Sequence, residues 1–332
     1  MKGEHQIIVQ NNRVQYKFTI RRNLTLLRGN SATGKTTLID MIAQYVRDGD
    51  KSGIVLSCDK KCAVLTSELW KLHLDMLKDT IVFIDEDNSF VATQEFAEYA
   101  KASDNYYVIV MRESLPQLPY SVDEIYTLKN VTKGYGRIKR MYTEFQRIYS
   151  TPETHGENKK PDYVIVEDSH AGYEFFAKIF EESGIPCISA HGKSNICAEI
   201  EKLSEGSTIL VISDGAAFGP EMEKTLAQRR KREIILFLPE SFEWLILRSG
   251  LIDGNAVKNI LDNPAPHIES QQYFSWERYF TALLTEQSKD TYLAYHKKSL
   301  NPNYLHEKEM EAVMETMPDI KEIVGDKTAE GK

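Results

Sequence analysis

The sequence predicts an α/β protein with two sheet domains in series and a helical C-terminal region. Three observations predict it. Short apolar runs that end in polar or acidic residues alternate with amphipathic stretches at helical spacing, the pattern of parallel strand–helix–strand units. The alternation breaks at "STPETHGENKKP" (150–161), which holds two prolines and almost nothing apolar, and then resumes. From about residue 240 onward the pattern turns helical. A chain of 332 residues suits this division at ~150 residues per domain. The expected organisation is a sheet domain over 1–150, a linker over 151–161, a parallel α/β domain over 162–250 and a helical region over 251–332.

Taken in order, Val14, Tyr16, Phe18 and Ile20 alternate with polar residues, and Asn11-Asn12 supplies a turn, so the chain opens with a hairpin. A buried strand follows at 24–27. The next helix places Leu38, Ile39, Ile42, Tyr45 and Val46 on one face and stops at Gly49. Further strands are expected at 54–57, 81–84, 107–111 and 125–128, with helices near 67–78 and 93–102. Beyond the linker, buried strands at 163–166, 185–189, 208–213 and 234–238 enclose helices at 171–183, 195–203 and 220–231. Sheets built this way bind ligands beyond the carboxyl ends of their strands. The polar residues that end each strand are therefore the first place to look for chemistry.

The composition, 42% hydrophobic and 27% charged, is that of a globular protein. No apolar run reaches the ~18 residues of a membrane span. The N-terminal "MKGEHQIIVQNNR" has no leader-like apolar segment, so a cytoplasmic protein without a membrane partner is expected. Cys58, Cys62, Cys187 and Cys197 are too few for a disulfide framework, and no second pair completes a zinc site with Cys58 and Cys62. A net charge of −8 confines nucleic-acid contact to local patches such as "RIKR" (137–140) and "RRKR" (229–232), short runs that are more often solvated faces.

The most specific motif is "GNSATGKT" at 29–36. It follows an apolar strand and opens an amphipathic helix, which is the context a phosphate-binding loop requires. Gly29 and Gly34 let the backbone curl so that its N–H groups converge on phosphates, and the helix N-terminus adds partial positive charge. Lys35 reaches the β- and γ-phosphates, and the Thr36 hydroxyl takes one Mg²⁺ position. Gly29, Asn30, Ser31, Ala32, Thr33, Gly34, Lys35, Thr36 and Thr37 are the expected nucleotide-binding residues, with ATP and Mg²⁺ as cofactors. No "NKxD" sequence points to GTP.

Fifty residues on, "TIVFIDEDNSF" ends a fully apolar run in Asp85-Glu86. Asp85 reads as the metal-side acid and Glu86 as the base that polarises the attacking water. The alternative is a pair of acids capping the next turn. Arg112 follows "YYVIVM" at another strand end, where it could sense the γ-phosphate; otherwise it is a surface arginine. Residues 1–130 resemble the P-loop ATPases of the additional-strand class, in which a "DE" pair follows the second hydrophobic strand. The "LSGGQ" signature of transporter-type ATPases is absent, so their sandwich-dimer mechanism does not carry over.

In the second half, a strand-end Glu167, the turn "HGKSN" and the strand-end "VISDGAAFG" follow one another. This series, over about 162–250, resembles the Toprim-like domain joined to P-loop ATPases in overcoming-lysogenization-defect nucleases and related phage-defence systems. In that resemblance Glu167 and Asp214 hold Mg²⁺ on a phosphodiester, and Ala216 stands where a second aspartate belongs. Asp168 stands where the family often has glycine. Glu240 or Glu243 is placed to supply the missing oxygen. Lys193 could neutralise a phosphate and His191 shuttle a proton, against a solvated lysine and a turn histidine. Tyr273, Phe274, Trp276, Tyr279 and Phe280 read as core rather than as a base-stacking surface.

Two functions stay open. In one, an ATPase, catalytic through Lys35 and Glu86, controls a Toprim-like domain that acts on nucleic acid through Glu167 and Asp214 in defence against phage or mobile elements. In the other, that second domain is degenerate and docks a protein partner. A homo-oligomer is expected by analogy alone.

Overall fold

The computed structural model describes residues 1–29, 33–66, 69–131, 141–149, 160–252 and 254–324. The protein is α/β and divides into two compact units, Met1–Ser150 with Pro264–Ser275, and Thr151–Asn263 with Trp276–Lys332.

The first unit opens with the hairpin of β1 (His5–Gln10) and β2 (Val14–Ile20), paired antiparallel with His5 opposite Ile20. Its turn is held by the Asn11 side chain, which accepts from the N–H groups of Arg13 and Val14 at 2.8 and 2.9 Å. There follow β3 (Leu24–Arg28), α1 (Lys35–Asp48), β4 (Val55–Ser57), β5 (Lys61–Val64), α2 (Trp70–Met76), β6 (Thr80–Ile84), α3 (Gln94–Ala102), β7 (Tyr106–Met111), β8 (Ile125–Val131) and β9 (Met141–Arg147). All nine strands join one mixed sheet in the order β4-β1-β2-β9-β8-β3-β7-β6-β5.

Five neighbours, β8-β3-β7-β6-β5, run parallel. Strands covered on both faces need apolar residues on both, and every residue of β6 and β7 is buried. In β2, buried residues instead alternate with partly or fully exposed ones. Twelve residues from far down the chain complete this unit. Gly3 N–H donates to Ala265 O at 2.9 Å, the Asn23 amide donates to Ser270 O at 3.0 Å, and Phe274 joins the core around Leu24 and Leu26.

β5 and β9 were not expected from the sequence. β5 is a four-residue edge strand with no fully buried residue. In β9, "MYTEFQR", the buried position is Thr143, so the apolar alternation that marks a strand is weak. Residues 137–140 and most of the expected linker lie outside the described residues.

The second unit contains β10 (Tyr163–Val166), α4 (Ala171–Glu182), β11 (Cys187–Ser189), α5 (Ile196–Lys202), β12 (Thr208–Ile212), α6 (Met222–Ala227), β13 (Glu233–Phe237), α7 (Phe242–Arg248), α8 (Asn255–Asp262), α9 (Trp276–Ser288), α10 (Glu307–Met314) and α11 (Pro318–Val324). Its four strands form an all-parallel sheet, β11-β10-β12-β13. Phe175 and Phe176 of α4 pack against Phe242 of α7, with ring centroids 5.2 and 5.8 Å away. Phe274, Trp276 and Phe280 are buried, so they belong to the core and offer no base-stacking surface. No described helix is long and apolar enough to cross a membrane.

Candidate functional site

Because β3, β6 and β7 are parallel, the residues that follow them emerge at the same edge of the sheet. Gly29 follows β3 with φ +155°, and Gly34 caps α1 with φ +95°, a left-handed value that favours glycine. A Cβ at Gly34 would stand 2.9 Å from the Tyr16 hydroxyl, which donates to the Gly34 carbonyl at 2.9 Å. Asn30, Ser31 and Ala32 lie outside the described residues.

Lys35, in the first turn of α1, is buried, and its ammonium donates to Gly29 O at 2.8 Å and to the Thr33 hydroxyl at 3.2 Å. Thr36 and Thr37 are exposed beside it. Asp85 and Glu86 follow β6. Burial, helped by the neighbouring charges of Glu86, Asp87 and Asp40, pushes the Asp85 carboxyl up. Glu86 moves the opposite way: it pairs with Arg112, which follows β7, and that guanidinium holds its carboxyl below the usual range, with Lys35 adding to the pull. Lys35, Glu86 and Arg112 therefore share one electrostatic environment, assembled from three strand ends.

A second set of chemical groups lines a cavity of about 280 Å³ in the other unit. Glu167 follows β10 and Asp214 follows β12, and these strands are neighbours, so the two acids sit side by side. Glu167 Oε2 accepts from the Ser213 hydroxyl and from the Asp214 N–H, the latter at 3.2 Å. Asp214 Oδ1 accepts from Phe242 N–H at 3.2 Å. Gly215 is glycine because the turn after β12 abuts the chain after β13: a Cβ there would lie 2.4 Å from Leu238 O. Asp168 closes the head of α4, accepting from Ser169 and Gly172 N–H at 2.7 and 2.9 Å.

Ala216 is buried, donates its N–H to Glu240 O at 3.3 Å and does not line the cavity, so position 216 has no part in the cavity wall. Of the two acids suggested as replacements, Glu243 faces the cavity and Glu240 does not. Glu243, only 2% exposed, accepts from the Tyr295 hydroxyl at 2.9 Å. Glu277 of α9 and Lys297 complete the wall, with the Lys297 ammonium 3.1 Å from Glu277 and 3.7 Å from Glu243. Burial, then the charges of Glu277, Glu167 and Glu243, push Asp214 well above the ordinary carboxyl range, against the pull of Lys297. Glu167 is also raised, chiefly by burial.

His191 stands on the cavity wall in a left-handed conformation, φ +54°. Lys193 instead turns its ammonium to Ala217 O at 2.6 Å, and burial lowers its pKa. In "RRKR", Arg229 and Arg232 donate to the carbonyls of Ile234 and Leu203, and Lys231 pairs with Glu205, so three of the four bases have intramolecular partners. Among the described residues, no group of three or more His, Cys, Asp or Glu side chains is arranged to hold a metal ion.

Glu277, Tyr295 and Lys297 were missed as site residues. Each arrives from a helix or loop at least 60 residues beyond Asp214, within segments whose patterns are those of ordinary helix and turn. The chain matches no protein-family model, and no curated protein matches it in sequence.

Proposed function

We propose that the chain is a P-loop ATPase of the additional-strand class whose ATPase controls a Toprim-like second unit acting on nucleic acid, in defence against phage or mobile elements. The observation that carries the reading is the position of β7 between β3 and β6. It sets the glycine loop and the acid pair one strand apart at one edge, with Arg112 at the end of the intervening strand. An isolated glycine turn would require no such arrangement.

On this reading the residues divide the work by position. Backbone N–H groups at the head of α1 bind the phosphates, and the Lys35 ammonium neutralises them. The exposed Thr36 hydroxyl and Asp85 have the oxygen chemistry to hold Mg²⁺, which when bound supplies charge neutralisation on the phosphates. Glu86 stays ionised beside Arg112 and accepts a hydrogen bond from the attacking water. Arg112 holds Glu86 in place and lies within reach of the same edge.

The experiment is phosphate release from ATP and GTP by the purified chain, alongside Lys35→Ala and Glu86→Gln. Loss of nucleotide binding in the first and of turnover in the second supports the reading. Equal turnover in all three would refute it. Incubation with DNA and RNA, comparing wild type with Glu167→Ala, tests the second unit. Cleavage that survives Glu167→Ala unchanged would exclude that site.

One observation favours the other reading, in which the second unit does not cleave and docks a protein partner. The acids of the cavity already have a cation of their own in Lys297. Intact ATP turnover with no cleavage of any substrate would support it.

A further inference from the structure

We propose that the Lys297 ammonium is a built-in counter-cation that closes the acidic cavity of the second unit against divalent ions. The inference rests on reading that cavity as Toprim-like, and it follows from where the cavity departs from that expectation. Five carboxylates line the wall, from Glu167, Asp168, Asp214, Glu243 and Glu277, and Lys297 is the one ammonium among the lining residues.

The donor set does not suit a resident Mg²⁺. That ion takes oxygens at 2.0–2.1 Å in near-octahedral geometry. Here one oxygen each of Glu167 and Asp214 is engaged by protein N–H or O–H groups. Asp168 holds the head of α4 through both its oxygens. Glu277 and Glu243, the acids that come from helices rather than strand ends, face Lys297 at 3.1 and 3.7 Å. Uncompensated carboxylates in a half-enclosed cavity repel one another strongly, and this single ammonium relieves Glu277, Glu243 and Asp214 together.

Lys297 is built to occupy this place and to leave it. Its carbonyl accepts from Ala171 N–H at 3.3 Å, which ties its backbone to the start of α4. Two residues earlier, Tyr295 enters the same cavity and fixes Glu243. The Lys297 side chain itself remains 42% exposed, which gives its ammonium a route to water. A divalent ion must displace it, and any partner or substrate phosphate that draws Lys297 outward would open the site.

Mn²⁺ is the probe, titrated without nucleotide so that the first unit contributes no metal site, with free ion followed by electron paramagnetic resonance. Wild type is expected to bind weakly, and Lys297→Met and Lys297→Gln at least tenfold more tightly. Adding Asp214→Asn to either should abolish the gain, and Lys297→Arg should not show it. Wild type binding as tightly as the neutral variants would overturn the proposal and leave the Toprim-like reading standing. Absence of binding in every variant would overturn both. A second measurement needs no variant: Mn²⁺ should speed acylation of Lys297 in the wild-type chain by an activated ester, and an unchanged rate would overturn the displacement.

Discussion

The hydroxyl of Tyr16 donates to the carbonyl of Gly34 at 2.9 Å, so a residue of β2 holds the one that caps α1. The same carbonyl accepts the first helical bond, from Leu38 N–H at 3.0 Å. Tyr16→Phe removes one bond to an acceptor that keeps another. A loss of about 1 kcal/mol is expected, read as about a fivefold weaker nucleotide affinity by calorimetry. Gly34→Ala should do far more, because it combines a left-handed φ with a contact at 2.9 Å.

Arg112→Ala should move the acid limb of the ATPase pH profile upward. The guanidinium holds the Glu86 carboxyl below its usual range. A base needed in its ionised form then keeps working to lower pH while Arg112 is present and stops sooner when it is gone. Rates across pH 4–8 check this, and an unshifted limb would remove Glu86 from the role of base. A fall in kcat of about tenfold or more at neutral pH is expected besides.

Glu124 gives a pH dependence of stability that is independent of catalysis. It is fully buried just before β8, with Arg22 and Arg21 at 3.6 and 3.8 Å, and Arg147 and Asp123 are the further charges it feels. Burial raises its pKa from 4.5 to about 7. The folded chain therefore holds a proton between these values that the unfolded chain has released. Stability from this group is complete below about pH 4.5 and is lost as pH rises to about 7, by about 3 kcal/mol at most. In Glu124→Gln this downward slope should be absent from denaturant midpoints measured between pH 5 and 8.

Gly215→Ala should destabilise the second unit. The added carbon would meet the backbone oxygens of Leu238 and Pro239 at 2.4 and 2.9 Å, and backbone cannot turn aside as a side chain can. A cost of about 1–3 kcal/mol is expected, seen as a Tm lower by about 5 °C or more. An unchanged Tm would mean that the two turns are looser than these distances imply.

The sequence made the glycine loop, Asp85, Glu86, Arg112, Glu167 and Asp214 visible for one physical reason. Each stands at the end of a buried run, where the change from apolar to polar is abrupt and local. The strand order could not be read the same way, since β7 enters between β3 and β6 through pairing that leaves no trace in spacing. Glu243 left a faint signal, an acid inside the apolar "FEWLIL", and its 2% exposure accounts for it. Glu277 and Lys297 left none, because a charged residue on a partly exposed helix or loop looks alike whether it faces solvent or a cavity. The basic run "RRKR" reads as a solvated face more readily than as a surface for phosphates, and two of its guanidinium groups, those of Arg229 and Arg232, donate to backbone carbonyls.

The twelve residues Pro264–Ser275 have a consequence for inheritance. The chain leaves the first unit after Ser150, returns at Pro264 and departs again after Ser275, two residues before Glu277. A single recombination event near the linker would thus deliver a first half that lacks the partner of the Asn23 amide and the ring of Phe274. Exchanging the second unit cleanly takes two junctions more, and one of them falls beside a cavity acid. The two units are interleaved along the chain, so no single junction separates them.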